Sequence, residues 1–205
     1  MDNTTVKKVA DPLSAETSLS LRNVLDDPEL LRVKTDRVYA QLTRLYGVRP
    51  LKARDPMRKL IGTVLSHRTR DEDTTTATNT LFERWPTLEA LAAADVAEIE
   101  AAIGAVTFPE VKAPRIKRLL ADIYAERGDY DLGFLAELPT PEALAWLTRL
   151  EGVGPKTATL VMLFVFHRPV LSVDTHVHRV SLRLGLIPPR TSAERAHKLL
   201  LDLFP

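Results

Sequence analysis

Apolar residues in this chain recur at three- and four-residue spacing, in short blocks that proline, glycine or aspartate interrupt. That period belongs to helices with one buried face, and the alternation that marks strands is almost absent. The pattern predicts helices over 31–46, 56–66, 74–85, 88–93, 96–103, 114–127, 142–150, 155–166, 175–184 and 192–203. Gly47 closes the first of these, Pro86 stops the third, and Asp95 is placed to cap the fifth. Pro155 opens the eighth at the first helical position, where proline's fixed φ and missing N–H cost nothing. Between the second and third helices, His67-Arg68-Thr69-Arg70-Asp71-Glu72-Asp73 reads as a charged connection. The chain is therefore expected to be all-α with short connections. Residues 1–20 are polar and core-poor, the composition of a disordered terminus.

Composition narrows the classes without choosing among them. The 205 residues are 45% hydrophobic and 27% charged, ordinary for a globular protein with a substantial core. No apolar run reaches the length of a spanning helix and the N-terminus lacks an apolar signal core. The expectation is thus no membrane partner and a cytoplasmic location. The chain has no cysteine, which excludes disulfides, thiolate metal sites and iron–sulfur clusters within these residues. Net charge is only +1, but its distribution is uneven: from Trp146 onward eight bases face four acids. A second basic cluster, Lys112, Arg115, Lys117 and Arg118, precedes that segment. A basic face on a near-neutral protein fits a nucleic-acid binder, and a solvated charged surface would look the same.

The chemistry concentrates in residues 147–180. Gly152-Val153-Gly154 forms a tight turn whose glycines can take positive φ and let a backbone come close to a ligand. It aims amides of a helix N-terminus outward, where a phosphate binds readily. Lys156 supplies an amine and Asp174, eighteen residues on, a carboxylate. A helix-end lysine that grips a phosphate would occupy the same position as a nucleophile. Asp174 before Thr175-His176 is equally an N-cap, and a cap would fix the carboxylate in place. His176 and His178 stand two apart, which is not one helix face, so a zinc pair is disfavoured and hydrogen bonding or DNA contact preferred.

The string Leu-Glu-Gly-Val-Gly-Pro-Lys-Thr-Ala at 150–158, with Val-Asp-Thr-His at 173–176, resembles the helix–hairpin–helix DNA glycosylases, and within them the endonuclease III family. The segments 60–71 and 106–117 resemble the same family less specifically, and the likeness runs from about Leu42 to Pro205. It implies two helical lobes flanking a DNA-binding cleft, one from 49 to 168 and the other from 21–48 with 169–205. It implies base excision repair of damaged double-stranded DNA by a monomer, with oxidised pyrimidines as the expected lesions. Lys156 matches the nucleophile that attacks C1′ and leaves a Schiff base for β-elimination. The amine attacks in its neutral form, which the helix end and burial under DNA favour. Asp174 matches the carboxylate that assists the amine and stabilises charge on the sugar.

By the same resemblance Gly152, Val153, Gly154, Thr157 and His176 are DNA-binding. Arg68 stands where relatives often carry glutamine to fill the hole left by the extruded base, a departure from the family pattern. Phe108 or Val106 belongs to the second wedge loop, and Phe108 is equally readable as core. Asp71 matches an acid in relatives and reads as a structural cap. In some relatives the hairpin carbonyls hold a monovalent cation, a point the sequence leaves open; no other cofactor is expected. Many endonuclease III proteins continue into four cysteines that hold a [4Fe–4S] cluster. Here that tail is either lost or cut off. Lys156 favours a bifunctional glycosylase and lyase over adenine- or alkylpurine-excising relatives. A non-catalytic hairpin DNA-binding module and an enzyme acting only on abasic sites stand as alternatives.

Overall fold

The computed structural model describes residues 25, 27–48 and 50–204, and the disorder expected over 1–20 lies outside them. Ten α-helices and one 3-10 turn make up the regular structure among the described residues. In chain order they are α1 (Pro28–Tyr46), α2 (Pro56–Leu65), α3 (Asp71–Arg84), α4 (Leu88–Ala93) and α5 (Val96–Ala102). There follow α6 (Pro109–Arg127), the turn Gly133–Ala136, α7 (Thr140–Arg149), α8 (Pro155–Phe164), α9 (Thr175–Arg183) and α10 (Ala193–Leu201). Every block of helical periodicity corresponds to one of these helices.

Local chemistry explains most of the boundaries. Asp27 Oδ1 accepts from the amides of Glu29 and Leu30, so α1 starts three residues before its first periodic leucine. Asp55, Thr87 and Ser192 cap α2, α4 and α10 in the same way. Ser192, rather than the start of a longer helix, is the cap residue of α10.

Helices α3 and α6, which flank the site, also start earlier than their periodicity predicts. Helix α3 begins at Asp71, not Thr74, and places Asp71, Glu72 and Asp73 in its first turn. Three carboxylates there are favoured by the positive end of the helix dipole. Asp71 is thus inside the helix; Arg70 holds the cap position and makes no side-chain cap bond. Helix α6 begins at Pro109 rather than Pro114, so Pro114 lies within it. The true start is set by Phe108, whose left-handed backbone (φ 59°, ψ 55°) turns the chain into the helix.

The chain divides into two compact units. One is Pro50–Ser172; the other joins the chain before Pro50 to Val173 and beyond. In the first unit α2 packs on α3, α6 and α8, while α6 also meets α4 and α5, and α7 pairs with α8. Leu60, Ile61, Leu65, Leu81, Ile116, Leu119 and Val161 are fully enclosed in its core. Trp146 of α7 meets Phe134 edge-on at 5.0 Å and donates its indole N–H to Glu126. In the second unit α9 packs on α10, and Leu186, Ile187, Ala196 and Leu200 are buried. No helix among the described residues is long and apolar enough to cross a membrane.

Candidate active site

The turn between α7 and α8 is closed by the Val153 amide, which donates to Leu150 O at 3.1 Å. Gly152 has φ 79°, a conformation that penalises any side chain. A Cβ there would also stand 3.3 Å from Cδ of Arg115, so the missing side chain lets Arg115 cross the turn. Gly154 does not take positive φ. It is extended (φ −84°, ψ 175°) because it is the N-cap of α8, and a Cβ on it would meet nothing within 4 Å. Its small size opens the approach to the helix end instead. The Val153 side chain is buried in the core.

Pro155 opens α8 and Lys156 follows in the first exposed turn. The Thr157 side chain turns inward: it is buried and its hydroxyl pairs with His67 Nε2 at 3.1 Å. A phosphate contact from Thr157 therefore falls to its amide at the helix end.

Lys156 and Thr157 line a cavity of about 570 Å³ within the first unit. Arg68, Phe108, Lys112 and Arg115 line it too, with His67 between them. Four of these side chains are basic, and none of the lining residues is acidic. Such a concave basic surface attracts a polyanion.

Arg68 and Phe108 stand on two separate loops, and both are non-glycine residues in left-handed conformation, at φ 56° and 59°. Each costs about 1–3 kcal/mol, strain that is characteristic of functional sites. Phe108 is 50% exposed, whereas Val106 is 4% exposed and part of the core. The reading of Phe108 as core is thereby corrected, and of the two residues proposed for the second loop it is Phe108 that faces outward.

Burial lowers the His67 pKa from its ordinary value, and the neighbouring charges of Lys112, Arg115 and Lys156 push the same way. Burial likewise lowers the Lys112 pKa, with a further contribution from Arg115.

Neither His67 nor Lys112 was legible as a site residue. The one signal in the sequence was helical spacing, since Lys112 and Arg115 lie three apart on α6 and so share a face.

The basic cluster expected at 112–118 divides by role. Lys112 is buried, and Lys117 donates to carbonyls at the C-terminal end of α4, those of Ala92 and of Ala94 just beyond it. Arg118 pairs with Asp122 at 2.8 Å, which leaves Arg115 as the member that reaches the cavity with Lys112. Farther on, Arg149 pairs with Glu126, and Arg168 donates to the carbonyls of Ala136 and Leu138.

Asp174 belongs to the second unit and caps α9. Its Oδ1 accepts from the amides of His176 at 2.9 Å and Val177 at 2.8 Å. The carboxylate is therefore held in one orientation by the backbone that follows it. His176 is exposed and its Nδ1 lies 3.4 Å from Arg179 Nη2. His178 Nε2 donates to Thr191 O at 2.7 Å, a bond that ties α9 to the loop before α10. With no cysteine among its 205 residues, the chain offers no thiolate for an iron–sulfur cluster.

Comparison with known proteins bears on the family and the fold. The family model of HhH-GPD superfamily base excision DNA repair proteins matches residues 61–205. Endonuclease III of Thermotoga maritima is 41% identical over 151 residues, 72% of this chain. The chain spans 65% of that relative's length. A solved non-covalent endonuclease III–DNA complex superposes with a TM-score of 0.70 at 30% identity, over 84% of this chain and 78% of that one. A trapped covalent endonuclease III–DNA intermediate gives 0.68 at 29% identity, over 86% and 78%. The chain belongs to the HhH-GPD superfamily of base excision DNA repair proteins and is endonuclease III-like within it.

Proposed function

We propose that this protein is a DNA glycosylase with abasic-site lyase activity, acting on damaged bases, chiefly oxidised pyrimidines, in double-stranded DNA. The observation that carries the reading is the position of Lys156. Lys156 lines a basic cavity from the first turn of a helix that a glycine hairpin introduces. A helix N-terminus and its orphan amides suit a DNA phosphate, and the adjacent cavity suits an extruded nucleotide.

In this mechanism the neutral Lys156 amine attacks C1′ of the extruded nucleotide. A C1′–N bond forms as the glycosidic bond breaks, and the departing base takes up a proton. Opening of the sugar ring gives an iminium; loss of a C2′ proton then expels the 3′ phosphate and cuts the strand. Asp174 takes the proton that Lys156 sheds and stabilises positive charge on the sugar. Its orientation by two backbone amides supports that role. Arg68 and Phe108 enter the stack where the nucleotide has left.

The relatives' names support the same chemistry, since both solved complexes pair endonuclease III with DNA and one is a covalent intermediate. The test is a panel of duplexes carrying thymine glycol, uracil, 8-oxoguanine or a bare abasic site. Release of thymine glycol with strand cleavage supports the proposal. Binding to every duplex without base release or cleavage shows a DNA-binding module instead.

A further inference from the structure

The two strained residues at the cavity rim share one buried anchor. Lys112 is 3% exposed, and its ammonium spends all three of its donors on short bonds. They run to Leu65 O at 2.7 Å, His67 O at 2.8 Å and Thr69 Oγ1 at 2.8 Å. Leu65 is the last residue of α2, so the first bond satisfies a carbonyl that the helix end would otherwise orphan. The other two bonds grip the loop immediately before and after Arg68. Thr69 then passes the grip onward. Its hydroxyl donates to His67 O at 3.3 Å and accepts from the Thr107 amide at 3.1 Å. Thr107 is the residue before Phe108, and Phe108 O in turn accepts from the Lys112 amide at 3.2 Å. The residues on both sides of Arg68 thus bond to the Lys112 side chain, and the Thr107–Phe108 stretch joins them through the Thr69 hydroxyl and the Lys112 backbone amide.

We propose that Lys112 is a positioning residue for base extrusion, presetting Arg68 and Phe108 together in the conformations that enter the DNA stack. This rests on the glycosylase reading above. A buried ammonium is costly to desolvate, and glycine would relieve both left-handed positions, so simple stability does not call for this arrangement. Preorganisation does: two side chains that insert together must be aimed before the duplex arrives. Lys112 touches neither sugar nor base in this scheme and acts through the loops.

The test compares the full chain with Lys112→Met, which keeps the side-chain length and removes the three donors. Thr69→Val, which breaks the same network from the loop side, is the second variant should Lys112→Met not unfold cooperatively. Two substrates are used: a duplex with a paired thymine glycol, and a single-stranded abasic oligonucleotide that needs no extrusion. The expected result is a drop of about tenfold or more in single-turnover excision from the duplex, as misplacement by about 1 Å produces. Borohydride trapping on the single strand should change far less. A 2-aminopurine placed opposite the lesion should lose its fluorescence rise on binding in the same variants. Equal losses on both substrates, or no loss on either, overturn the proposal. If the unaltered protein traps neither substrate, it is the glycosylase reading that fails.

Discussion

His67 Nε2 lies 3.1 Å from the hydroxyl of Thr157, so the loop after α2 is hydrogen-bonded to the residue that follows Lys156. The pairing joins, at the cavity, positions that lie 90 residues apart in the chain. It also makes a prediction about pH. The folded His67 pKa lies below its ordinary value near 6.5, first because of burial and then because of Lys112, Arg115 and Lys156. Below about pH 6.5 the unfolded chain binds a proton that the folded chain resists, so stability present above that pH is lost as the pH falls toward the folded value. The melting temperature of the unaltered protein should fall more steeply with acidification than that of His67→Gln. Parallel curves would remove His67 as a source of acid sensitivity.

Gly152 and Gly154 should respond differently to the same substitution. Gly152→Ala forces an L side chain into positive φ against Arg115, at a cost of about 1–2 kcal/mol. Its melting temperature should drop. Gly154→Ala meets ordinary φ and open space, so the fold should hold. Its added methyl should instead weaken DNA binding, since it stands at the helix end that receives a phosphate. Titration of an abasic duplex, alongside thermal melts, separates the two.

Asp174→Asn keeps an oxygen able to cap α9 and removes the charge. Excision should fall strongly while the affinity for DNA persists. Asp174→Ala also loses the cap and should destabilise the protein by about 1 kcal/mol more. Equal losses of binding and excision in Asp174→Asn would count against a catalytic carboxylate.

Much of this molecule was legible in its sequence because the signals are local. The period of 3.6 marks each helix, and Pro155 after Gly154 fixes where α8 begins. The same contiguous string puts Lys156 in the first turn of that helix. The failures have physical causes too. Pro114 was read as a helix start because proline usually stands there, yet the left-handed Phe108 starts α6 five residues earlier. The acids at 71–73 read as part of a charged connection, although the helix dipole makes them a good first turn. Lys112 reads only as one member of a basic cluster, because nothing near it in sequence reveals its partners. Those lie 43 to 47 residues away, and pairings at that range leave no periodic trace.

Lys156 as the nucleophile is the step on which the proposed chemistry depends. The decisive measurement is borohydride reduction of the full chain on an abasic-site duplex, followed by digestion and mass-spectrometric location of the adduct. A single adduct on the peptide that contains Lys156, absent from Lys156→Ala, is the predicted result. An adduct on another amine, or none from the unaltered protein, would contradict it.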